Sequence, residues 1–372
     1  MHVAVHVACQ HFPRAKANEY DRVRARAGCK ARGRGGALKV AFDTRPLSEA
    51  DGIGRYARCL LSALRELPGE SDELIETNRP AATMRAGDAD LLHAPWMEGA
   101  MLRSPCPAVV TVHDLTKRKR RSEHLRTGLR QRMRDLAVQR AMRVVVPTRT
   151  VADDAVEQLG VERRRVVVIP HAADPAMRPR GEREVAAVRE RFKLPEHYLV
   201  WVGALRHPDP TKHVRELAAA PRRLPLVMVG PTQPWAHELP EVTLTGQVSD
   251  EHLAAIYSGA HALVLSSEGE GFGFPAVEAL ACGTPVTACS VPALAEVLGE
   301  RATFVPQGDM RSLVMAAEAA TRPAPAPPPW TWQDAARATW AAYSSALAEA
   351  ADERNGTHPA RRRSRNPGVE GV

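Results

Sequence analysis

Two glutamates, eight residues apart, enclose a glycine-rich stretch in the second half of the chain. The stretch reads EGEGFGFPAVEALACGTPVTAC over Glu268–Cys289, and the pair is Glu270 and Glu278. Glycines alternate with larger residues in its first part, so the backbone can turn tightly and come close to a ligand. Two carboxylates beside such a loop suit the vicinal hydroxyls of a sugar or a ribose.

A helix is expected to begin directly after these glycines. Proline is favoured in the first helical turn, which predicts a helix start at Pro275. The free amides of residues 271–274 and the positive end of the helix dipole would then face the loop. Such a site attracts anions, most naturally phosphate. Phosphate beside two diol-binding carboxylates points to a nucleotide sugar as the ligand.

Short apolar runs typical of buried strands alternate with helical stretches along most of the chain. The strands are expected at Leu38–Phe42, Leu91–His93, Ala108–Val112, Val144–Val146, Val166–Ile169, Tyr198–Gly203, Leu226–Val229, Val242–Leu244, His261–Leu265, Pro285–Ala288 and Ala302–Val305. This alternation predicts parallel, doubly wound sheets. The length of 372 residues is enough for two such domains.

The predicted organisation has six parts. They are a basic flexible extension (1–36), an amino-terminal Rossmann-like domain (37–175), a linker (176–195), a carboxyl-terminal Rossmann-like domain (196–322), a proline-rich spacer with a helix that packs back (323–350) and a disordered basic tail (351–372). In the last helix, large apolar residues recur at helical spacing, which indicates packing rather than ligand contact. They are Trp332, Ala336, Trp340, Tyr343 and Leu347.

The net charge of +8 is concentrated at the two ends of the chain. Residues 1–36 carry eight Lys or Arg against two acids, and residues 354–372 carry five against one. The body between them is therefore close to neutral, which argues against a nucleic-acid partner. Six cysteines without a CxxC pair indicate neither a zinc site nor a disulfide framework and fit a cytoplasmic protein. No apolar run approaches membrane-spanning length, which leaves peripheral membrane contact open.

Candidate site residues in the first domain lie where strands end. Asp43 ends the first strand, and the loop after it leads into GIGRY, where Gly52 and Gly54 would let the backbone approach a ligand. Ordinary helix-entry chemistry is the alternative for these glycines. His113 follows the strand AVVTV. A lone histidine is often structural, but a strand end that faces the crevice makes it a candidate site residue.

The combined motifs resemble the GT-B glycosyltransferases, and within them the retaining family four, or glycosyl transferases group 1. The resemblance covers roughly residues 39–349 and is strongest over residues 244–306, where Glu270 and Glu278 stand at the family's paired-glutamate spacing. It implies an α/β GT-B fold, with two Rossmann-like, doubly wound parallel-sheet domains facing a central cleft. It also implies a metal-independent hexosyltransferase-type enzyme that needs no cofactor and takes a nucleotide-diphosphate sugar as co-substrate.

The resemblance implies donor-binding roles for the glycine-rich loop. Glu278 would hold the donor ribose, and Glu270 would approach hydroxyls of the transferred sugar. The amides of Gly271, Phe272 and Gly273 would support the donor.

A second donor segment, VGALRHPDPTKHV, matches the family's phosphate-binding segment. Lys212 falls on the family's lysine, which would neutralise the departing diphosphate. Ala204 replaces the usual arginine, and Arg206 is the nearest arginine that could reach the phosphates. The predicted catalytic set therefore consists of His113, Glu270 and Lys212.

In the first domain, DTRPLSEADGIGRYAR resembles the family's glycine loop on the acceptor side, with Asp43, Gly52, Ile53 and Gly54 as its candidate residues. The segment HDL, which begins at His113, matches the one that lies beside the transferred sugar. His171 stands where the family usually has Asn, and no role follows for it.

Several alternatives stay open at this level. Asp88 and Asp90 mimic the DxD metal signature of the other glycosyltransferase fold, but they lie in the domain not expected to hold the donor, so no metal is predicted. The acceptor is a glycan, a lipid-linked sugar or an aminocyclitol of antibiotic biosynthesis; acidic residues in the loops of the first domain would suit the last. They are Asp43, Glu49, Asp51, Glu98 and Asp114. A catalytically silent nucleotide-sugar-binding protein and a GT-B sugar-nucleotide epimerase are the competing functions.

Overall fold

The computed structural model describes residues 37–49, 51–67, 72–78, 85, 87–116 and 128–354. The predicted extension 1–36 and most of the predicted basic tail lie outside these residues. The described chain forms two six-stranded sheets, and every strand pair in both sheets is parallel.

The first sheet has the strand order β2-β1-β3-β4-β5-β6. Its strands are β1 (Lys39–Asp43), β2 (Glu73–Thr77), β3 (Leu91–Ala94), β4 (Ala108–Thr111), β5 (Arg143–Val146) and β6 (Val166–Val168). The helices of this domain are α1 (Gly52–Glu66), α2 (Gly128–Gln139) and α3 (Arg149–Leu159). The sequence did not indicate β2, because this edge strand reads ELIET and has no residue buried from solvent.

The second sheet has the strand order β12-β11-β10-β7-β8-β9. Its strands are β7 (Leu199–Val202), β8 (Leu226–Val229), β9 (Val242–Gly246), β10 (Ala262–Leu265), β11 (Val286–Cys289) and β12 (Ala302–Val305). Around it lie α4 (Glu182–Phe192), α5 (Val214–Ala219), α6 (Asp250–Gly259), α7 (Phe274–Ala281), α8 (Pro292–Leu298) and α9 (Met310–Glu318). Two parallel, doubly wound domains are the fold class that the sequence predicted.

Helix α4 lies inside the segment 176–195, which the sequence indicated as a linker. The helix reads EREVAAVRERF and buries only Val185 and Val188 against the second domain. The Glu184 carboxylate accepts a hydrogen bond from the Gly181 amide, which caps the helix start. Because so few of its residues are apolar, the helical period was too weak to detect in the sequence.

The last helix, α10 (Trp332–Arg354), returns to the first domain. It begins with the expected capping box, in which Thr331 and Asp334 exchange side-chain-to-backbone hydrogen bonds. Trp340 and Tyr343 are buried in the same core as residues of β1 and α1, as their helical spacing indicated. Helix α10 therefore holds α1, the helix that begins with the GIG glycines, against the first sheet.

Candidate active site

A cleft of about 1360 Å³ lies between the two sheets and is lined by both domains. Its walls come from the loops that follow the carboxyl ends of strands, including β4, β7, β8 and β10. This is the position where open α/β sheets bind ligands. Nine of the predicted site residues line the cleft: Gly52, Ile53, His113, Lys212, Glu270, Gly271, Phe272, Gly273 and Glu278.

Glu278, on α7, lines the second-domain wall of the cleft and is almost completely buried, with 2% of its surface exposed. The Arg55 guanidinium comes from the opposite domain and places Nε 2.9 Å from Oε1, while the Tyr257 hydroxyl donates to Oε2 at 3.4 Å. Burial raises the pKa of Glu278 to about 7; Arg55 opposes this rise, and the nearby Asp174 and Asp250 add to it. This carboxyl group therefore titrates near neutral pH.

Three glycines in the loop over residues 268–274, called the donor loop after its predicted role, are required by the structure, two by close contact with the first domain and one by its backbone conformation. A Cβ atom on Gly271 would lie 1.7 Å from the His113 carbonyl oxygen, and one on Gly269 would lie 2.0 Å from Thr116 Cγ2. Gly273 has φ +84°, a left-handed conformation that favours glycine, and it forms the N-cap of α7. The loop thus rests directly on residues 113–116, which follow β4.

Glu270 and Lys212 lie on the same wall of the cleft. Burial raises the pKa of Glu270, while the charge of Lys212 and a hydrogen bond from Ser267 oppose the rise. Lys212 ends a short 3₁₀ turn, and its Nζ lies 5.8 Å from the ring centroid of the buried Trp201. The cation is therefore positioned by an aromatic face and stays close to the sugar-binding glutamate predicted from the sequence.

Arg206, the other predicted donor cation, lies at the rim of the site. It is exposed and does not line the cleft, and its nearest acid is Glu49 of the opposite domain, at 3.9 Å. The turn before Lys212 explains this placement: Asp209 accepts hydrogen bonds from the amide and hydroxyl of Thr211 and so shapes the loop between the two cations. Lys212 is consequently the predicted cation that lies inside the cleft.

His113 is held in one tautomer by the backbone. Its Nε2–H donates to the Pro95 carbonyl oxygen at 2.8 Å, which leaves Nδ1 as the acceptor of the neutral ring. The ring packs edge-on against Tyr56, with centroids 4.6 Å apart. Burial lowers the pKa of His113, so the ring is neutral at pH 7 and can accept a hydrogen bond from a hydroxyl.

Asp43 is fully engaged by neighbouring side chains and does not line the cleft. Its two carboxylate oxygens accept from Arg45 Nε at 2.8 Å and Arg45 Nη2 at 2.6 Å, and Oδ2 also accepts from Trp96 Nε1 at 2.9 Å. Only 3% of the residue is exposed. The sequence suggested an acceptor contact, but in the structure this carboxylate fixes the conformation of the loop after β1.

The GIG loop combines the two roles that the sequence left open. The Asp51 carboxylate caps α1 by accepting from the amides of Ile53 and Gly54 at 3.0 and 3.1 Å. A Cβ atom on Gly54 would lie 1.9 Å from the Glu49 carbonyl oxygen, so close backbone packing requires this glycine. Gly52 and Ile53 do line the cleft, whereas Gly54 does not.

His171 forms the centre of an aromatic cluster at the back of the cleft. Its ring stacks on Phe274 at 5.3 Å and on Trp332 at 6.0 Å, and it lies 5.5 Å from the His113 ring. Neither ring nitrogen has a hydrogen-bond partner within the described residues, and burial lowers the pKa well below its ordinary value. The aromatic ring of His171 thus contacts the donor loop, the first domain and α10. These packing contacts are what the histidine contributes at a position where the family usually has Asn.

Three contact residues between the domains were missed in the sequence: Arg55, Thr148 and Glu296. The Thr148 hydroxyl donates to the Gly271 carbonyl oxygen at 3.1 Å. The Glu296 carboxylate on α8 accepts from the Arg149 amide at 2.7 Å and so caps α3 of the other domain. The sequence contains one indication of these contacts, because Arg55 directly follows the GIG glycines. Nothing in the sequence around Thr148 or Glu296 indicates theirs.

Asp88 and Asp90 serve the loop before β3. Asp90 Oδ2 accepts from the Lys39 amide at 3.0 Å, and Asp88 Oδ2 accepts from the Arg85 amide at 2.8 Å. Within the described part of the chain, no group of three or more His, Cys, Asp or Glu side chains is placed to hold a metal ion. No helix in the described ranges is long and apolar enough to cross a membrane.

Two family profiles match the two domains in turn. Residues 1–177 match glycosyltransferase family 4, and residues 196–322 match the profile described as glycosyl transferases group 1. Together these matches take in most of the chain. The chain therefore belongs to the group 1 glycosyltransferases of family four, as the motifs of the donor domain suggested.

The curated relatives act on different acceptors. O-antigen chain mannosyltransferase B of Escherichia coli is 25% identical over 297 residues, which cover 72% of this chain and 74% of that protein. 2-Deoxystreptamine glucosyltransferase of Streptomyces kanamyceticus is 29% identical over 180 residues (44% and 46%). D-Inositol 3-phosphate glycosyltransferase of Salinispora arenicola is 30% identical over 284 residues (64% and 62%). The match thus spans less than two thirds of the length of the latter two.

Solved structures share the two-domain architecture. Anabaena Alr3699/HepE in complex with UDP and glucose superposes with a TM-score of 0.59 at 16% identity, covering 86% of this chain and 98% of that one. WaaG, a glycosyltransferase involved in lipopolysaccharide biosynthesis, gives a TM-score of 0.56 at 16% identity, covering 85% and 100%. With the two parallel sheets described above, these likenesses show a GT-B fold.

Proposed function

We propose that this protein is a retaining, metal-independent glycosyltransferase that moves a hexose from a nucleoside-diphosphate sugar to a hydroxyl acceptor. One observation carries the proposal: a single interdomain cleft brings together Glu278, Glu270 and Lys212 from one domain and His113 from the other. The complexes of HepE with UDP and with UDP-glucose support a donor of this class.

The donor would lie along the wall formed by the second domain. The ionised Glu278 carboxylate accepts hydrogen bonds from the two vicinal ribose hydroxyls. The diphosphate lies beside Lys212 and the amides at the start of α7, where the helix dipole favours an anion. The hexose then reaches Glu270 and the Nδ1 acceptor of His113.

The reaction develops charge mainly on the leaving group. The bond between the anomeric carbon and the diphosphate oxygen breaks, and the acceptor oxygen forms its new bond to the same face of that carbon. The acceptor hydroxyl passes its proton to a phosphate oxygen of the departing nucleoside diphosphate. Lys212 stabilises the negative charge as it develops, which lowers the barrier. His113 orients a sugar hydroxyl and faces the electron-poor anomeric centre as a neutral ring.

A cyclitol, in particular an aminocyclitol, is the acceptor class that we propose. Two of the curated relatives are named for the transfer of sugars to cyclitols, 2-deoxystreptamine and D-inositol 3-phosphate. The first-domain wall of the cleft carries Glu49, Asp51, Glu98 and Asp114, which would attract a cationic, polyhydroxylated acceptor. Asp43 drops out of this set because it is buried and does not line the cleft.

The test is a transfer assay against a panel of aminocyclitols, inositols and oligosaccharides. The donors are UDP- and GDP-hexoses, which carry both ribose hydroxyls assigned to Glu278, and a dTDP-hexose, which lacks the 2′-hydroxyl. We expect one donor to yield a glycosylated product whose anomeric configuration, read from proton coupling by NMR, equals that of the donor. An inverted product would refute the retaining mechanism. Binding of a donor without transfer to any acceptor would favour a sensor, and interconversion of the donor without an acceptor would favour an epimerase.

A further inference from the structure

One guanidinium from the first domain contacts three carboxylates, two of which belong to the second domain. Arg55 lies in the first turn of α1, and 13% of its side chain is exposed. Its Nη1 lies 3.0 Å from Asp174 Oδ2, its Nη2 lies 2.6 Å from Asp250 Oδ1, and its Nε lies 2.9 Å from Glu278 Oε1. Asp250 and Glu278 belong to the second domain, so this contact forms only when the two domains are close together.

The surroundings of Glu278 are rich in acids. The titratable groups that face it are Arg55 and Cys59 of α1, Asp174 before α4, Asp250 and Tyr257 of α6, and Cys282 after α7. Arg55 is the one cation in this set of described residues. Without it, an ionised Glu278 would face two further carboxylates in a buried position, which is unfavourable.

The contact between Arg55 and Glu278 leaves one carboxylate oxygen without a hydrogen bond. Although Arg55 Nε lies 2.9 Å from Oε1, this oxygen has no partner with hydrogen-bond geometry among the described residues. The attraction is therefore ionic, and Oε1, which is itself buried, has no hydrogen-bond donor in this conformation. Glu278 lines the cleft, so a diol that displaces a neighbouring group would meet an acceptor without a hydrogen bond.

We propose that Arg55 is a positioning residue for the donor: it keeps Glu278 ionised for the ribose diol and makes tight nucleotide binding depend on the closed arrangement of the domains. The proposal rests on the proposed function, because it assigns the ribose to Glu278. Arg55 needs no contact with the donor itself. It acts through the charge that it places beside the carboxylate.

The proposal fixes the direction of a pH effect. An ionised carboxylate accepts hydrogen bonds from two hydroxyls, so nucleotide affinity should fall as Glu278 becomes protonated. With Arg55 present, the pKa of Glu278 is about 7, and affinity is highest above that pH. Removal of Arg55 takes away the group that opposes the raised pKa, so the loss of affinity moves to higher pH. Removal of Asp174, which adds to the raised pKa, moves it to lower pH.

The experiment is calorimetry of UDP binding to the full chain between about pH 6 and about pH 9, with GDP as the probe if UDP does not bind. The variants are Arg55→Met, Arg55→Lys, Asp174→Asn and Glu278→Gln. Arg65→Met is the matched control, because Arg65 lies on the same helix, is exposed and pairs with Glu76 outside the cleft. The melting profile of each variant shows whether it is folded, and Asp174→Asn keeps the test valid if Arg55→Met does not fold.

We expect Arg55→Met to weaken binding about tenfold or more at pH 7, since each unit of pKa shift corresponds to a factor of ten, and to move the midpoint of the pH profile upward. Asp174→Asn should move the midpoint of the pH profile downward. Arg55→Lys and the control Arg65→Met should leave the midpoint near that of the wild type. Glu278→Gln should abolish the pH dependence of binding. A pH profile of Arg55→Met with an unchanged midpoint would overturn the proposal, even if the affinity for the nucleotide fell. If Arg55→Met does not fold, an unchanged midpoint in Asp174→Asn would overturn it. Failure of the wild type to bind either nucleotide would instead refute the proposed function, and the role of Arg55 with it.

Discussion

At the scale of single residues, the site contains carboxyl groups whose burial is costly for stability. Glu278 is the clearest case, because it is almost completely buried and its pKa is raised to about 7. A buried acid of this kind is retained at functional sites although it lowers stability when ionised. Its effect on stability can therefore be separated from its effect on activity.

Relative to the wild type, Glu278→Gln should be more stable at pH 8, and this gain in the free energy of unfolding should be smaller at pH 5. The folded pKa is about 7, above the ordinary value of 4.5, so the contribution of Glu278 to stability is fully present below pH 4.5 and is lost as the pH rises through 7. The neutral amide avoids this loss, which amounts to roughly 3 kcal/mol at most. Thermal unfolding of both proteins at the two pH values measures the effect. An equal difference at both would contradict the assignment, and exposed Glu300→Gln is the control.

Lys212→Met should lower kcat by about a hundredfold and change the KM of the donor much less, because the positive charge acts mainly on the leaving group as the bond breaks. Methionine keeps an unbranched apolar stem against the face of Trp201. Steady-state kinetics with the best donor and acceptor provide the measurement, and exposed Lys193→Met is the matched control. A normal kcat in Lys212→Met would remove this residue from the mechanism.

At the scale of elements, the donor loop connects β10 to α7 and touches the segment after β4. The predicted reason for its glycines was access for a ligand. The structure adds a second reason, because Gly269 and Gly271 leave no space for a side chain against Thr116 and His113. The loop is therefore part of the contact between the domains as well as a wall of the proposed donor site.

Gly271→Ala should reduce kcat/KM by about a hundredfold, because a displacement of about 1 Å of reacting groups costs that much. Its new methyl group would lie 1.7 Å from the His113 carbonyl oxygen and must push the two segments apart. Gly181→Ala is the matched control, since its nearest neighbour lies at 3.8 Å. Activity and melting temperature should be measured together, because unchanged activity in a folded Gly271→Ala protein would argue against the closed contact.

The sequence predicted most elements because their residues are buried on both faces. Strands β8 and β10 read as continuous apolar runs, which is typical of central parallel strands. Strand β2 and helix α4 escaped detection for the opposite reason: one is an exposed edge and the other carries mainly charged residues. The loop over residues 268–274 was predictable as a site because its turn, the helix start and the two glutamates lie close together in the sequence.

The partners of the site residues could not be predicted in this way. Arg55 lies more than 200 residues from Glu278 in the sequence, and their contact depends on how the domains face each other. The same holds for Glu296, which caps a helix of the other domain, and for His171, whose aromatic neighbours come from three parts of the chain. Asp43 was predicted to contact a ligand because it lies at a strand end, but the Arg45 side chain and the distant Trp96 occupy its carboxylate.

At the scale of the whole molecule, the two domains are joined by contacts on both sides of the cleft. Glu296 caps α3 across the interface, Thr148 donates to the Gly271 carbonyl oxygen, and Arg55 reaches Glu278. Helix α10 begins after the second domain and ends on the first. The described conformation is therefore a closed one, in which the proposed donor and acceptor walls face each other.

Glu296→Ala should favour opening of the cleft, because it removes the carboxylate that accepts from two first-turn amides of α3 across the interface, an interaction worth about 1 kcal/mol. Small-angle X-ray scattering should show a larger radius of gyration than for the wild type, and saturation with the donor nucleotide should reduce the difference. Glu300→Ala, an exposed change four residues further along, should leave the scattering unchanged. Identical scattering of Glu296→Ala and the wild type would show that this cap does not hold the domains together.

The most direct measurement of the central claim is a crystal structure of the protein with the nucleoside diphosphate that raises its melting temperature most. The account predicts the ribose hydroxyls within hydrogen-bond distance of Glu278, and the diphosphate between Lys212 and the start of α7. A nucleotide bound elsewhere, or one in the cleft with its ribose away from Glu278 and its phosphates away from Lys212, would contradict it.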